Sequence, residues 1–470
     1  MTVRFYNSLH KQKEDFQPED KQRVKIYSCG PTVYNYNHIG NFRSYIFVDV
    51  LRRSLKLLGY GLQQTMNITD IDDKIIKNSL EKKQTVEEFT AKWTQVFFED
   101  LQTLQIDPVE HYPKATESVD FMTEIMQRLQ ENGYTYHKDG NLYYSLDKFS
   151  EYGSLSKIDV SGMVSGTRYD ADEYAKDDIR DFVLWKAPKQ EGEKSWQTPF
   201  GEGRPGWHLE CSAMIRQIYQ SGVDIHTGGV DLMFPHHENE IAQSRGAYPD
   251  EEFVKYWLHC EHLLVESKKM SKSLGNFYTL RDLVQKGYDP KHIRYLLLSF
   301  HYRTKLNFSF TGLEDAKKAV EKIQNTLDRV LSATEYEVSQ QLPQNYAKPA
   351  SDAFLEALAD DLNVPVALAG IFDFCRQVNQ DLDKNHLSGD ELLEITSYYY
   401  QINQLLAVLH FEKDVADLAM PAAEIEEWIV KRVQAKKDKN YALADQIRND
   451  LSEKGIILED SKTGTTWKRK

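Results

Sequence analysis

Six side chains with ligand or proton chemistry crowd one stretch of the chain: His208, Cys211, His226, His236, His237 and Glu240. His236 and Glu240 stand four apart, so on a helix they share a face. In PHHENEIAQS, Pro235 reads as the first residue of that helix. Far upstream, Cys29 and His38 flank a second chemical loop. Two thiolates, one imidazole and one carboxylate form a tetrahedral zinc set, here Cys29, Cys211, His236 and Glu240. The other reading stays open: scattered polar groups, with cysteines that are small buried hydrophobes. A third stretch, Lys268–Asn276 (KKMSKSLGN), joins small residues that bend to lysines that reach polyphosphate. By itself it reads equally as a solvated basic loop.

The elements around Cys29 and His38 place them. Val24-Lys25-Ile26-Tyr27 reads as a short buried strand. Gly30-Pro31 breaks it with a turn. Phe42, Ile46, Val50, Leu51, Leu55 and Leu58 then recur at helical spacing, and Gly59 stops the helix. Leu62 to Ile68 is the returning parallel strand, so the unit is βαβ. Ligands bind at the C-terminal ends of such strands, and the helix N-terminus offers its free N–H groups to phosphate. Thr69, at the next strand end, is expected to face the same crevice. Asp72-Asp73 reads as the charge that opens a helix.

The chain has 470 residues, which implies several domains. Residues 1–114 and 201–260 read as the two halves of a Rossmann-type catalytic domain. Residues 115–200 read as an α+β insertion, 261–312 as a KMSKS-loop region, 313–420 as a helical bundle, and 421–470 as a small mixed module. The expected class is therefore α/β with helical and mixed C-terminal additions. Four cysteines without a CxxC pair exclude a disulfide framework and fit a reducing cytosol. The N-terminus lacks a signal-peptide core, and no run is long enough for a membrane span. The net charge of −14 argues against indiscriminate nucleic-acid binding. Residues 431–470, however, carry eleven Lys or Arg against six Asp or Glu. With Tyr441 and Trp467, that basic module suits an RNA backbone and stacked bases.

Taken together, these motifs bear a resemblance. His38-Ile39-Gly40-Asn41 resembles the HIGH signature of class I aminoacyl-tRNA synthetases, and Lys269 to Ser273 matches their KMSKS signature. Cys29, GWHLECSAM with Cys211, and FPHHENEIAQS with His236 and Glu240 look like the zinc site of the cysteinyl-tRNA synthetases. NITDIDDKI and the C-terminal GTTW extend the likeness over nearly the whole chain. Asn41 stands in place of the second histidine of the signature, Thr227 in place of the usual glycine of DIHGGG, and Lys436 in place of an arginine.

The resemblance implies an enzyme that joins L-cysteine to ATP, releasing pyrophosphate, and then passes cysteine to the 3′ end of tRNA(Cys). It assigns catalysis to His38, Asn41, Lys269 and Lys272, and ATP binding to His38, Gly40 and Lys272. Gly30, Thr32, Thr69, Trp207 and His226 would form the amino-acid pocket. Lys436, Asp445, Asp460 and Trp467 would read the tRNA anticodon. One zinc ion per chain would select the thiolate, and Mg2+ would accompany ATP. A serine hydroxyl is a poor zinc ligand. Its exclusion should therefore exceed the roughly 1–3 kcal/mol that a hydrophobic pocket extracts per methylene. The expected protein is cytoplasmic, monomeric and free of membrane. Two rivals fit part of the pattern: ligases that join cysteine to an amino sugar, and an inactive zinc-dependent RNA-binding protein. The basic C-terminal module disfavours the first, and the two intact signatures disfavour the second.

Overall fold

The computed structural model describes residues 1–158, 181–190, 192–270, 275–333, 341–411, 422–438, 440–453, 456–461 and 464–469. They form two compact units, 1–409 and 410–470. In the first, β1 (Arg4–Asn7) and β2 (Gln12–Asp15) pair antiparallel. β3 (Val24–Ser28), α1 (Ile39–Leu57) and β4 (Leu62–Met66) then make the expected βαβ unit, with β3 parallel to β4. Val24, Ile26 and Tyr27 are fully buried, because both faces of this central strand are covered.

Helices α2 (Asp73–Glu81), α3 (Val86–Thr103) and α4 (Val119–Glu131) follow. Asp72 caps α2 by accepting from the Ile75 N–H at 2.7 Å. Next come β5 (Thr135–Lys138), β6 (Asn141–Tyr144), β7 (Phe182–Lys186), β8 (Trp196–Thr198) and β9 (Gly201–Pro205). They build an antiparallel sheet in the order β5-β6-β7-β9-β8. This inserted sheet runs on to Pro205, because β9 pairs with both β7 and β8.

The chain returns through α5 (Trp207–Tyr219), β10 (Val223–Gly229), α6 (Glu238–Ala247) and β11 (Val254–Cys260). β10 and β11 complete a parallel sheet in the order β11-β10-β3-β4. Between β3 and β10 the strand order reverses direction. In open α/β sheets that crevice is where ligands sit. Pro235 does not open a helix here. It lies in a kinked turn, Met233–His237, interrupted by the extended Phe234, and α6 begins only at Glu238.

Beyond the sheet lie β12 (Leu263–Val265), β13 (Lys268–Lys269), α7 (Leu280–Gln285), α8 (Pro290–Leu298) and β14 (Leu306–Phe308). The unit ends in helices α9 (Phe310–Ala333), α10 (Lys348–Ala359), α11 (Val364–Asp383) and α12 (Gly389–Leu406). Within this bundle the chain breaks between α10 and α11, where Asp361 and Leu362 take φ of 62° and 55°. The break lets the buried Asp361 carboxylate accept from the Tyr6 N–H at 2.8 Å, the Tyr302 hydroxyl at 2.6 Å and the Arg303 Nε at 2.8 Å.

The second unit holds α13 (Ala422–Lys437), α14 (Tyr441–Glu453) and a hairpin of β15 (Ile456–Ser461) and β16 (Gly464–Arg469). Its core is its own: Ile425, Ile429, Ile447, Leu451, Ile456 and Leu458. Among the described residues no helix is long and apolar enough to cross a membrane.

Candidate active site

A cleft of about 1210 Å³ opens at the C-terminal ends of β3, β10 and β11, and the N-terminus of α1 faces it. Gly30 brings β3 into it. A Cβ there would stand 1.8 Å from the Asn67 carbonyl oxygen, so only glycine fits. Its N–H donates to Asn67 Oδ1 at 2.8 Å.

The HIGN turn is a reciprocal cap. His38 Nδ1 accepts from the Asn41 N–H at 3.1 Å, and Asn41 Oδ1 accepts from the His38 N–H at 3.1 Å. This uses one ring nitrogen for structure and leaves Nε2 for a ligand. Burial lowers the His38 pKa, so the ring is neutral at pH 7. A side chain at Gly40 would meet His38 Nδ1 at 2.9 Å and Met270 Cε at 2.7 Å. Met270 of the second signature therefore rests on the first. Lys269 lines the cleft from β13. Lys272 lies outside the described residues.

One ligand atom from each of Cys29, Cys211, His236 and Glu240 falls within 4.8 Å of all the others. Sheet and helix ends make this convergence. Cys29 follows β3, Cys211 sits on α5, His236 in the turn before α6, and Glu240 in its first turn. His236 Nε2 stands 3.5 Å from Cys211 Sγ and 3.0 Å from Glu240 Oε1. Glu240 Oε1 is buried, with the His236 imidazole as its close polar neighbour. A buried carboxylate among two thiols and an imidazole is a donor set that fits a cation. Cys29, His226, His237 and Glu240 form an overlapping set within the same 4.8 Å.

More histidines stand behind these groups. His208 Nδ1 is 2.9 Å from His236 Nδ1, and His226 Nε2 is 2.8 Å from Glu240 Oε2. His237 Nε2 is 3.4 Å from Cys29 Sγ. Its Nδ1 meets His259 Nε2 at 2.9 Å, and His259 Nδ1 in turn meets Ser8 Oγ at 2.8 Å. Such outer contacts fix the ring orientation and tautomer of a ligand.

The electrostatics are those of a site short of positive charge. Burial opposes it, yet Glu240 and Cys211 hold His236 up to about 10. Burial would raise Glu240, but His226 and His236 hold it at about 2. Contact with Cys29 and burial push the Cys211 thiol well up. Burial, with His226 beside it, drives His259 down to about 3. A bound cation would release the protons that the thiols and His236 retain.

The remaining pocket residues divide. Gly30, Thr32 and Trp207 line the cleft. Trp207 is 40% exposed and stacks on His236 at 4.4 Å between ring centres. Thr69 and His226 are buried and do not line it. Thr69 donates to Glu210 Oε2 at 3.0 Å, while His226 backs Glu240 and stacks on Trp257. Thr227 is buried, and its hydroxyl donates to Ser28 Oγ at 2.9 Å; its carbonyl accepts the Cys29 N–H at 3.2 Å.

Sequence reasoning missed Glu210, His259, Ser8 and Asp231. Glu210 is a buried carboxyl pushed well above its ordinary range by burial. Only its place beside Cys211 hinted at it. Asp231 lines the cleft and was hidden among the loop's ordinary polar residues.

In the second unit, Lys436 and Asp445 are exposed on α13 and α14. Asp460 lies on β15 opposite Thr465. Trp467 is not a free platform. It packs on the small core, and its indole N–H donates to Glu426 Oε1 at 2.8 Å. Tyr441 is 63% exposed.

Residues 15–318 match the family described as tRNA synthetases class I (C) catalytic domain, and residues 353–410 match the DALR domain. The chain is 56% identical to the cysteine–tRNA ligase of Leptospira interrogans serogroup Icterohaemorrhagiae serovar copenhageni (strain Fiocruz L1-130). That match covers 100% of this chain and 99% of the relative. It is 45% identical to the cysteine–tRNA ligase of Solibacter usitatus (strain Ellin6076), over 100% of both. Among solved structures, Mycobacterium tuberculosis methionyl-tRNA synthetase in complex with methionyl-adenylate shares the fold. Its TM-score is 0.59 at 14% identity, over 82% of this chain and 90% of that one. Matched along its whole length by enzymes of one name, and over its catalytic part by the class I profile, the chain belongs to the cysteine–tRNA ligase family of class I synthetases.

Proposed function

We propose that this protein activates L-cysteine with ATP and transfers it to tRNA(Cys), with Cys29, Cys211, His236 and Glu240 holding one zinc ion that selects the substrate. The observation that carries the reading is the approach of those four ligand atoms to within 4.8 Å at strand ends shared with the capped His38 turn. His226 and His237 are better placed as supports than as ligands, since they hold Glu240 and Cys29.

In the first step a cysteine carboxylate oxygen attacks the α-phosphorus of ATP. The bond to the bridging oxygen breaks, and pyrophosphate leaves. In the second, a ribose hydroxyl at the tRNA 3′ end attacks the adenylate carbonyl, and AMP leaves. Such phosphoryl chemistry needs positioning and charge stabilisation. His38 Nε2 and the free N–H groups of α1 would hold the phosphates. Gly40 admits them close to the backbone, and Asn41 keeps the His38 ring in place. Lys269 and Lys272 would act on charge that grows in the transition state. Mg2+ would travel with ATP.

When bound, zinc supplies a soft partner for the substrate sulfur that a serine hydroxyl cannot match. Trp207, Thr32 and Gly30 would wall the amino acid, with Thr69 and His226 acting from behind through Glu210 and Glu240. Lys436, Asp445 and Asp460 are assigned to the anticodon. Tyr441, rather than Trp467, has the exposure for base stacking. The protein is read as a cytoplasmic monomer.

The test is ATP–pyrophosphate exchange together with tRNA charging. Exchange is expected with cysteine and not with serine, and charging with tRNA(Cys). Equal exchange with serine would overturn zinc selection. Exchange without any charging would favour a different acceptor.

A further inference from the structure

Glu238 opens α6 between the ligands His236 and Glu240 and is fully buried. A carboxylate only accepts hydrogen bonds, and a buried one needs donors aimed at it. Among the described residues, its donors come from one short segment. The Gly153 N–H donates to Oε2 at 3.0 Å. The Leu155 and Ser156 N–H groups donate to Oε1 at 2.9 Å and 2.7 Å, and the Ser156 hydroxyl donates to it at 2.9 Å. A fifth bond joins the Tyr152 hydroxyl to Asn239 Oδ1, and the Tyr152 ring meets Phe234 edge-on at 6.2 Å. The segment so held then supplies Ser156 and Ile158 to the lining of the cleft.

One short stretch, residues 234–240, thus carries two candidate metal ligands and fixes a wall contributed by the inserted region. We propose that Glu238 is a positioning residue. It locks residues 153–158 as a rigid wall of the cleft and so shields the aminoacyl adenylate from water before transfer. This rests on the reaction proposed above. The side reaction it suppresses balances simply: water adds to the adenylate carbonyl, the acyl C–O bond to phosphate breaks, and cysteine, AMP and a proton are released. Excluding water from a reactive intermediate is a recognised task of a closed site.

The experiment compares the full-length zinc-loaded enzyme with Glu238→Gln, which keeps size but turns one acceptor into a donor facing N–H groups. Three quantities are read without tRNA: zinc per chain, cysteine-dependent exchange, and AMP release. Zinc should stay bound and exchange should largely persist. AMP released per exchange event should rise roughly tenfold, the scale of one lost hydrogen bond to a charged group. Ser156→Ala and Tyr152→Phe each remove one of the five bonds and should move the ratio the same way by less. If Glu238→Gln fails to fold, these two decide. An unchanged ratio with zinc bound overturns the proposal. So does zinc loss in parallel with exchange, which would make Glu238 a scaffold of the metal seat alone. Failure of the wild-type protein to exchange with cysteine would instead defeat the assigned reaction.

Discussion

In the proposed function, substrate choice turns on Cys211. Its Sγ lies 3.5 Å from His236 Nε2, on a helix whose other inward residues are already committed: Glu210 to Thr69 and Ser212 to Gln243. Neither thiol outside the quartet stands in for it, because Cys260 packs against the Arg43 carbonyl and Cys375 against Tyr399. Cys211→Ser exchanges a soft donor for a hard one at unchanged size. Zinc content, read by metal analysis, should fall below one per chain. The KM for cysteine in the exchange assay should rise by roughly 100-fold or more, since even outer contacts to a metal ligand are worth 10–100-fold in affinity. A variant with full zinc and an unchanged KM would contradict the assignment of the ion to this quartet.

At the scale of elements, the signature helix α1 is held in place by buried arginines. Arg294 on α8 is wholly buried. It donates to Asp49 Oδ2 on α1 at 2.6 Å, to the Leu405 carbonyl at the end of α12 at 3.0 Å, and to the Leu104 carbonyl after α3 at 3.0 Å. Arg53 shares Asp49 and reaches the Gln404 and Gln105 carbonyls, each at 2.8 Å. The C-terminal carbonyls of two helices, which lack partners within their own helix, are satisfied by guanidinium groups. Arg294→Leu leaves Asp49 buried beside a single arginine and strips the Leu104 and Leu405 carbonyls of this donor. The expected loss is about 3–5 kcal/mol of stability, the usual result of deleting one partner of a buried pair. Urea denaturation would measure it. A loss below about 1 kcal/mol, the ceiling for an exposed ion pair, would show that the network is dispensable.

At the scale of the molecule, each of the two units has its own core, so a cut between them should leave the first intact. The residues proposed for cysteine activation all lie in the first unit. A protein ending before Met420 should keep cysteine-dependent exchange near the full-length value yet charge tRNA poorly, with the loss mainly in the KM for tRNA. In the full-length protein, charging should weaken as salt rises, because phosphate contacts release counterions. Unimpaired charging by the truncated protein would show that the basic unit does not engage tRNA.

The local order along the chain was enough for the βαβ unit, for the helix that Asp72-Asp73 opens and for both signatures. Each depends on neighbours in sequence: alternation, helical spacing, a turn residue, a cap. The four ligand types were also legible, because His236 and Glu240 stand four apart, and the family resemblance pointed to the same quartet. The rest depended on partners far away in the chain. His226 looked like a pocket residue until β10 placed it behind Glu240, and Thr69 until α5 set Glu210 against it. Trp467 looked free until Glu426 took its N–H. Pro235 looked like a helix start until the turn at Phe234 moved that start to Glu238. Glu238 itself reads as an ordinary first-turn acid. Only the folded chain brings residues 153–156, more than 80 positions away, to its carboxylate. Periodicity and capping are properties of the local backbone and can be read from residue types. Which buried polar group meets which is decided by long-range packing, where every donor and acceptor must find a partner at once.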